Sequence, residues 1–253
     1  MKVSIITVTY NSAATLSDTI ESIVDQDYPD IEYIIVDGKS SDGTLDIIKR
    51  YEAHVTKYVS EPDKGIYDAM NKGIKIATGD IIGILNSDDF FARKDAVSLI
   101  VSAFGQNEKV DGVYGNLYYV DSNDTNKIIR FWKSKEYVPK AFYHGWHPAH
   151  PTFYVRRNVY EKYGLYDLRF PLSADFELML RFFECCQIRT KFIDAVLIKM
   201  RIGGTTSKSI VPILRGITQC KRAFRVNGLR PPLLYPAYRL FPKLFQFIIC
   251  PKS

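Results

Sequence analysis

The chain has 253 residues, 46% of them hydrophobic and 13% aromatic, which allows one domain with a substantial core and excludes a disordered or fibrous protein. Residues 201–253 hold ten of the 34 basic residues and none of the 28 acidic ones, so the net charge of +6 belongs to the tail and residues 1–200 carry −4. No run approaches the roughly 18 apolar residues of a membrane span, and MKVSIITVTYNS lacks the small-residue cleavage site of a signal peptide.

Cys185, Cys186, Cys220 and Cys250 make no C-x-x-C pair. Reduced core thiols in a cytoplasmic protein are therefore expected, without a zinc site or a disulfide framework. No internal repeat and no low-complexity tract interrupts the chain.

VSIITV (3–8) is a continuous apolar, β-branched run, the signature of a strand buried on both faces. Leu16, Ile20, Ile23 and Val24 follow at helical spacing. IEYIIVDG is a second buried strand ending at Asp37. SSDGTLDIIKRYE opens with capping residues and places Leu45, Ile48 and Tyr51 on one helical face. VTKYVSEP is a third strand. GIYDAMNKGIKIA is a helix with Ile66, Met70, Ile74 and Ala77 aligned, and DIIGIL is a fourth strand leading to Asn86. Strands alternating with helices of this length predict a parallel, doubly wound α/β sheet with right-handed crossovers.

A helix is predicted over 94–104, strands near 110–120 and 127–132, a helix near 174–186, a strand over 190–201 and a long helix from Ser209 to Val226. Pro212 fits the first turn of that last helix. Beyond Gly228, prolines 231, 232, 236 and 242 are expected to break any regular element.

In open α/β sheets, ligands bind beyond the carboxyl ends of the strands. Asp37, Asp63 and the pair Asp88-Asp89 all lie at predicted strand ends, and Tyr10-Asn11 just past the first. In GILNSDDFF two adjacent carboxylates stand between hydrophobic flanks, where they repel each other and are costly to bury. Neighbours in an extended segment point to opposite sides, so one would reach a sugar hydroxyl and the other a metal. Mg²⁺ or Mn²⁺ takes one or two protein carboxylates and completes its shell with water and substrate phosphates. That describes a nucleoside-diphosphate site.

TVTYNSAATLSDTIESI, IIVDGKSSDGT, SEPDKGIYDAMNKGI, LNSDD, SADFELMLR and RIGGTTS stand in the order and spacing of the family 2 glycosyltransferases. Over residues 1–207 the chain resembles the branch that builds bacterial exopolysaccharide, capsule or lipopolysaccharide. The resemblance implies the GT-A fold, a Rossmann-like, mostly parallel sheet flanked by helices. It divides residues 1–207 into a donor half to about 121 and an acceptor half from about 122, with 208–253 as a basic helical extension.

Position by position, the resemblance implies that Thr7, Thr9, Tyr10 and Asn11 hold the nucleobase and Asp37 bonds its edge. Lys64, at the start of helix 65–77, would meet the diphosphate, and Asp68 and Asn71 would line the donor site. Asp88 matches the ribose contact, Asp89 the ligand of a divalent cation (Mn²⁺ or Mg²⁺), and Asp175 the general base. Two departures stand out: Asn86 where the acidic motif often begins with Asp, and Ala174 where Glu often precedes the base.

Asp175 also opens an amphipathic helix, where Asp is a favoured N-cap, and both roles are compatible. His147 and His150 form an H-x-x-H pair, read as structural or acceptor-contacting ahead of metal ligation. Arg201, before the turn at Gly203-Gly204, is a candidate phosphate contact, and Cys185-Cys186 is assigned to the core. The tail mixes aromatic, aliphatic and basic residues; it admits docking on an anionic membrane surface or packing on the body. No nucleic-acid motif accompanies its charge.

The expectation is an inverting transferase moving one sugar from a nucleotide-sugar donor, UDP-linked by family habit, to a glycan or lipid-linked acceptor. The Q-x-x-R-W signature of processive members is absent. One rival is a non-catalytic nucleotide-sugar-binding scaffold in a polysaccharide assembly complex. The other is a sugar nucleotidyltransferase, disfavoured because YNSAATLSD lacks the Gly and Lys that cradle a triphosphate.

Overall fold

The structure, a computed structural model, describes residues 1–105, 109–202 and 210–239, with 210–214 described by backbone alone. The first half runs β1 (Val3–Thr9), α1 (Leu16–Val24), β2 (Ile31–Asp37), α2 (Thr44–Arg50), β3 (Lys57–Ser60), α3 (Ile66–Ile76) and β4 (Ile81–Ile84). The second adds β5 (Asp89–Phe91), α4 (Ala96–Gly105), β6 (Gly112–Val120), β7 (Ile128–Trp132), β8 (Tyr154–Arg156), α5 (Arg157–Tyr163), α6 (Ala174–Leu180), β9 (Thr190–Arg201) and α7 (Ile210–Val226).

One sheet carries all these strands in the order β3-β2-β1-β4-β8-β6-β9-β5, with β7 on the flank of β6. The parallel expectation holds through β3-β2-β1-β4. Beyond β4 the sheet is mixed: β8 is antiparallel to β4 and β6, and β9 is parallel to β6 but antiparallel to β5. The strands β5 and β8 have three residues each, too short to show any period, which is why they and α5 escape a reading by pattern.

β1 lies between β2 and β4 and is buried throughout. Alternate residues serve opposite faces: Ile6 and Val8 join Met70 and Ile74 of α3 on one side, while Val3 and Ile5 join Ile20 and Ile48 on the other. The helical stripes are displaced from expectation. Ile66 and Leu45 are exposed, and the buried faces are Ala69-Met70-Gly73-Ile74 and Thr44-Ile47-Ile48. Val24 is likewise exposed, outside the face made by Leu16, Ile20 and Ile23.

The helix expected near 174–186 is α6 followed by a π-helical turn at Arg181–Cys185. Arg181 ties that turn down, ion-paired to Glu177 and donating to the Leu165 carbonyl at 2.7 Å. Cys185 is exposed and Cys186 half-buried, so neither is the core residue expected; Cys220 is.

α7 packs its Ile217, Cys220, Ala223 and Phe224 into the protein, and Cys220, Ala223 and Phe224 share one cluster with Phe176 of α6. Residues 235–239 are helical in spite of Pro236, because proline fits a first turn whose N–H groups are unpaired in any case. Pro242, Cys250 and Gly203-Gly204 lie outside the described residues. Among the described residues no helix is long and apolar enough to cross a membrane.

Candidate functional site

β1 to β4 run parallel, so their carboxyl ends deliver Thr9, Asp37, Ser60 and Leu85 to one edge. The loops there are knitted by polar side chains. Asn11 sits at φ +50° and accepts from the Ser41 N–H at 2.9 Å, while its own N–H donates to the Ser40 hydroxyl at 2.8 Å. Ser12 and Ser87 share a hydrogen bond of 2.8 Å that ties the loop after β1 to the loop after β4.

Asp37 is fully buried and accepts from the Ser60 hydroxyl at 2.6 Å and the Ser40 N–H at 3.0 Å. Thr7 lies deeper, taking the Tyr33 hydroxyl at 3.2 Å. The buried Thr9 hydroxyl has no partner among the described residues. Tyr10 presents a ring 64% exposed. Gly38 makes this edge close: a Cβ there would sit 2.4 Å from the Asp63 carboxylate and 3.4 Å from the Tyr10 ring.

The start of α3 already carries acids. Asp63 accepts the Gly65 N–H at 2.7 Å, and Asp68 accepts the Lys64 N–H at 3.0 Å while standing 3.8 Å from Lys72. Two carboxylates thus take the N–H groups of Lys64 and Gly65, just before the helix, and their charges face its dipole. The Lys64 side chain is exposed. Asn71 spends its amide on the Tyr166 backbone, donating at 2.9 Å and accepting at 3.0 Å.

The acidic stop is a turn and not an extended segment. The Asp89 N–H donates to the Asn86 carbonyl at 3.0 Å, placing Asp88 in the turn and Asp89 at the start of β5. Asn, Ser and Asp favour turns because their short side chains satisfy local backbone groups. Asp88 is half-buried and Asp89 fully buried. Burial pushes the Asp88 carboxyl above the usual range, against the pull of Arg201 and His150. Burial, then the Asp88 charge, push Asp89 well above it.

The Asp89 carboxylate accepts the Asn86 side-chain N–H at 3.2 Å, and its other oxygen and the Asn86 side-chain amide oxygen are buried acceptors without a donor among the described residues. Such orphaned acceptors are costly in a protein interior, and a bound cation would supply what they lack. Among the described residues no three His, Cys, Asp or Glu side chains gather for a metal. The set fits an ion that takes one or two protein ligands and the rest from phosphate and water: Asp89, with Asn86 and Asp88 beside it. Arg201 is committed within the protein, ion-paired to Asp18, donating to the Asp88 carbonyl at 2.8 Å and lying 4.9 Å over the Phe90 ring.

Asp175 stands in the first turn of α6 and is not its cap, a position held by Ser173. Its carboxylate accepts the Tyr67 hydroxyl at 2.9 Å and lies 3.4 Å from His150 Nδ1, with 22% of the side chain exposed. His150 also stands close enough to Asp88 to draw its carboxyl down, so the acidic turn and Asp175 border one cleft. Burial, then the Asp175 charge, raise the Tyr67 phenol well above its usual range, keeping it a donor. The histidine pair separates: His147 is a core residue packed on Trp132 and Phe176, and His150 faces the site.

The structure thus brings Tyr10, Asn11, Asp37, Asp88, Asp89, His150 and Asp175 to one edge, and uses Thr7, Asn71 and Arg201 internally. Pattern reading passes over Tyr67, Ser40 and Ser60. No local signal marks them, since each acts on a partner brought near by the fold.

The family model described as Glycosyl transferase family 2 matches residues 4–164. An uncharacterized glycosyltransferase of Mycobacterium tuberculosis is 32% identical over 240 residues, covering 90% of this chain and 87% of its own. The PGL/p-HBAD biosynthesis glycosyltransferase of the same species is 29% identical over 211 residues, covering 82% of this chain and 80% of its own. Among solved structures, S. aureus TarS 1–349 in complex with UDP-GlcNAc superposes with a TM-score of 0.65 at 18% identity, covering 90% of this chain and 65% of that one. The mannosyltransferase PcManGT from Pyrobaculum calidifontis, in complex with GDP-Man and Mn²⁺, gives 0.66 at 20% identity, covering 94% and 68%. At these identities the structural likeness concerns the fold.

Proposed function

Because this chain belongs to glycosyl transferase family 2, we propose that it is an inverting, non-processive glycosyltransferase that moves one sugar from a nucleoside-diphosphate sugar to an acceptor hydroxyl. The observation that carries the reading is Asp175, a carboxylate held by Tyr67 at 2.9 Å, partly open to solvent, across one cleft from the acidic turn. UDP is the favoured carrier, in line with the ligand named for TarS 1–349.

Tyr10 offers its exposed ring to the face of a base, and the buried Asp37, bonded to Ser40 and Ser60, fixes the loops that frame it. Asp88 is the candidate for a ribose hydroxyl. A divalent cation at Asp89 and Asn86, when bound, would stabilise the negative charge of a departing diphosphate. The acceptor oxygen attacks the anomeric carbon as the bond from that carbon to the diphosphate oxygen breaks, and the hydroxyl proton passes to Asp175. Attack opposite the leaving group inverts the centre, so an α-linked donor gives a β-linked product. His150 stands beside Asp175, where it can orient the carboxylate or the acceptor.

The acceptor is read as a surface glycan or a lipid-linked precursor. Leu233 and Leu234, 92% and 59% exposed, follow Arg230 on the same segment and suit the surface of an anionic membrane. The test is turnover of UDP-, GDP-, dTDP- and CDP-sugars, read as nucleoside diphosphate released, by the wild type and Asp175→Asn. One donor should be turned over, and the variant should lose about 10²–10⁴ in kcat while its donor KM stays near wild type. Wild-type turnover that survives in Asp175→Asn would remove this residue as the base.

A further inference from the structure

Arg201 is committed to Asp18, and Lys64, the candidate for the donor diphosphate, is exposed beside two carboxylates at the start of α3, so a phosphate in the cleft beside Asp175 would be held more firmly by a further cation. One comes from the far end of the chain, beyond the residues that the family model matches.

After α7 the chain turns at Gly228 and returns to the body. Tyr235 is fully buried, with ring centroids 5.3 Å from Phe224 and 6.2 Å from Phe176. The following backbone crosses Gly145, which sits at φ +76°; a Cβ there would lie 2.4 Å from the Tyr238 carbonyl oxygen and 2.9 Å from the Arg239 nitrogen. His144 packs on Tyr238 with centroids 5.7 Å apart. Only a residue without a side chain admits this crossing, so the loop at 145 is shaped to receive the segment.

The crossing directs Arg239 inward. Its guanidinium lies 4.9 Å from the ring of Phe176, the residue after Asp175. Its charge acts on Asp175 and on Tyr119 of β6. Among the described residues the guanidinium donates one hydrogen bond, to the Tyr235 hydroxyl at a long 3.4 Å. Among the described residues no carboxylate pairs with it, whereas the half-buried Arg181 has Glu177 and the Leu165 carbonyl. A guanidinium carries five N–H donors, and withdrawing it from water with few partners is unfavourable. The fork matches an anion with two acceptor oxygens, and it is already oriented by stacking.

We propose that Arg239, held against Gly145 by the C-terminal segment, recognises a phosphate group of a reactant in this cleft. The inference rests on the glycosyltransferase reading above. It gives the segment a role in the site itself. Two reactants can supply the phosphate: the diphosphate of the donor, or a phosphate on the acceptor.

The experiment is calorimetric titration of the full chain, wild type, Arg239→Met and Arg239→Lys, alongside thermal melting. Met keeps a stem over Phe176 without the charge; Lys keeps the charge without the fork. The probes are UDP (or whichever of GDP, dTDP and CDP binds wild type best) and inorganic pyrophosphate added to protein saturated with it. Loss of about tenfold or more in nucleotide affinity for Arg239→Met, with partial recovery in Arg239→Lys and an unchanged melting temperature, assigns the contact to the donor. Unchanged nucleotide affinity with the same loss for pyrophosphate assigns it to an acceptor phosphate. Unchanged affinity for both probes, with or without a lower melting temperature, overturns the proposal and leaves Arg239 a packing residue. If the wild type binds no nucleotide at millimolar concentration, the donor reading falls, and this proposal with it.

Discussion

Two buried carboxylates on one chain show how the same residue type serves stability or chemistry according to its partners. Asp37 is saturated by hydroxyl and N–H donors, while Asp89 keeps an oxygen without a donor among the described residues. An unsatisfied, desolvated acid is unfavourable to folding, and a bound divalent cation removes that cost. Addition of Mn²⁺ or Mg²⁺ with a nucleoside diphosphate should therefore raise the melting temperature above the value with nucleotide alone, and EDTA should reverse the metal's share. In Asp89→Ala the metal-dependent increment should vanish. An increment retained in the variant places the cation elsewhere. The positions of Asp37, Asp88, Asp89 and Asp175 near strand or helix ends were legible because each stands within a recognisable segment. Tyr67 was not, because its role depends on a partner 108 positions away.

At the scale of elements, α7 is the test of where the body ends. The sequence left it between a solvated helix on the body and a membrane-docking extension. Phe224 is fully buried in the cluster that contains Phe176 and Tyr235, and its ring lies 5.1 Å from Tyr143. Phe224→Ala should cost about 3–5 kcal/mol in chemical denaturation, since a large aromatic is removed from a packed interior. A loss below about 1 kcal/mol would make the helix peripheral. The long strands and helices were legible from their periods. The displaced stripe of α3, with Ile66 exposed and Asn71 buried on Tyr166, was not, because Tyr166 satisfies the amide from another part of the chain.

Across the whole molecule, polar burial is divided between the two ends of the sheet. At the end opposite the site, Glu32 is 1% exposed, 2.8 Å from the Lys57 ammonium, and accepts the Thr78 N–H at 2.7 Å and the Ser4 hydroxyl at 2.5 Å. Burial alone would raise its carboxyl; the hydrogen bonds from Lys57, Ser4 and Thr78 overcome it and hold the group far below the ordinary value of 4.5. A depressed folded value means that the unfolded chain binds the proton first as pH falls. The stabilisation is complete above the ordinary value and is lost as pH drops below it. Glu32→Gln should cost about 2–3 kcal/mol at pH 7, toward the low end for a buried pair because Lys57 keeps solvent contact. The gap between variant and wild type should narrow from about pH 4 downward, measured by urea unfolding across pH. A gap that is constant with pH would mean that packing, and not the charge, accounts for Glu32.

The sequence alone determined the βαβ order of the first half, the acids at its strand ends and the family, because these depend on hydrophobic period and on residues close together along the chain. Tertiary structure alone decided the mixed pairing beyond β4, the commitment of Arg201 to Asp18, the Tyr67–Asp175 contact and the return of Arg239 across Gly145. Those outcomes join segments distant in sequence, and which polar group satisfies which is settled only when packing brings them within hydrogen-bond reach.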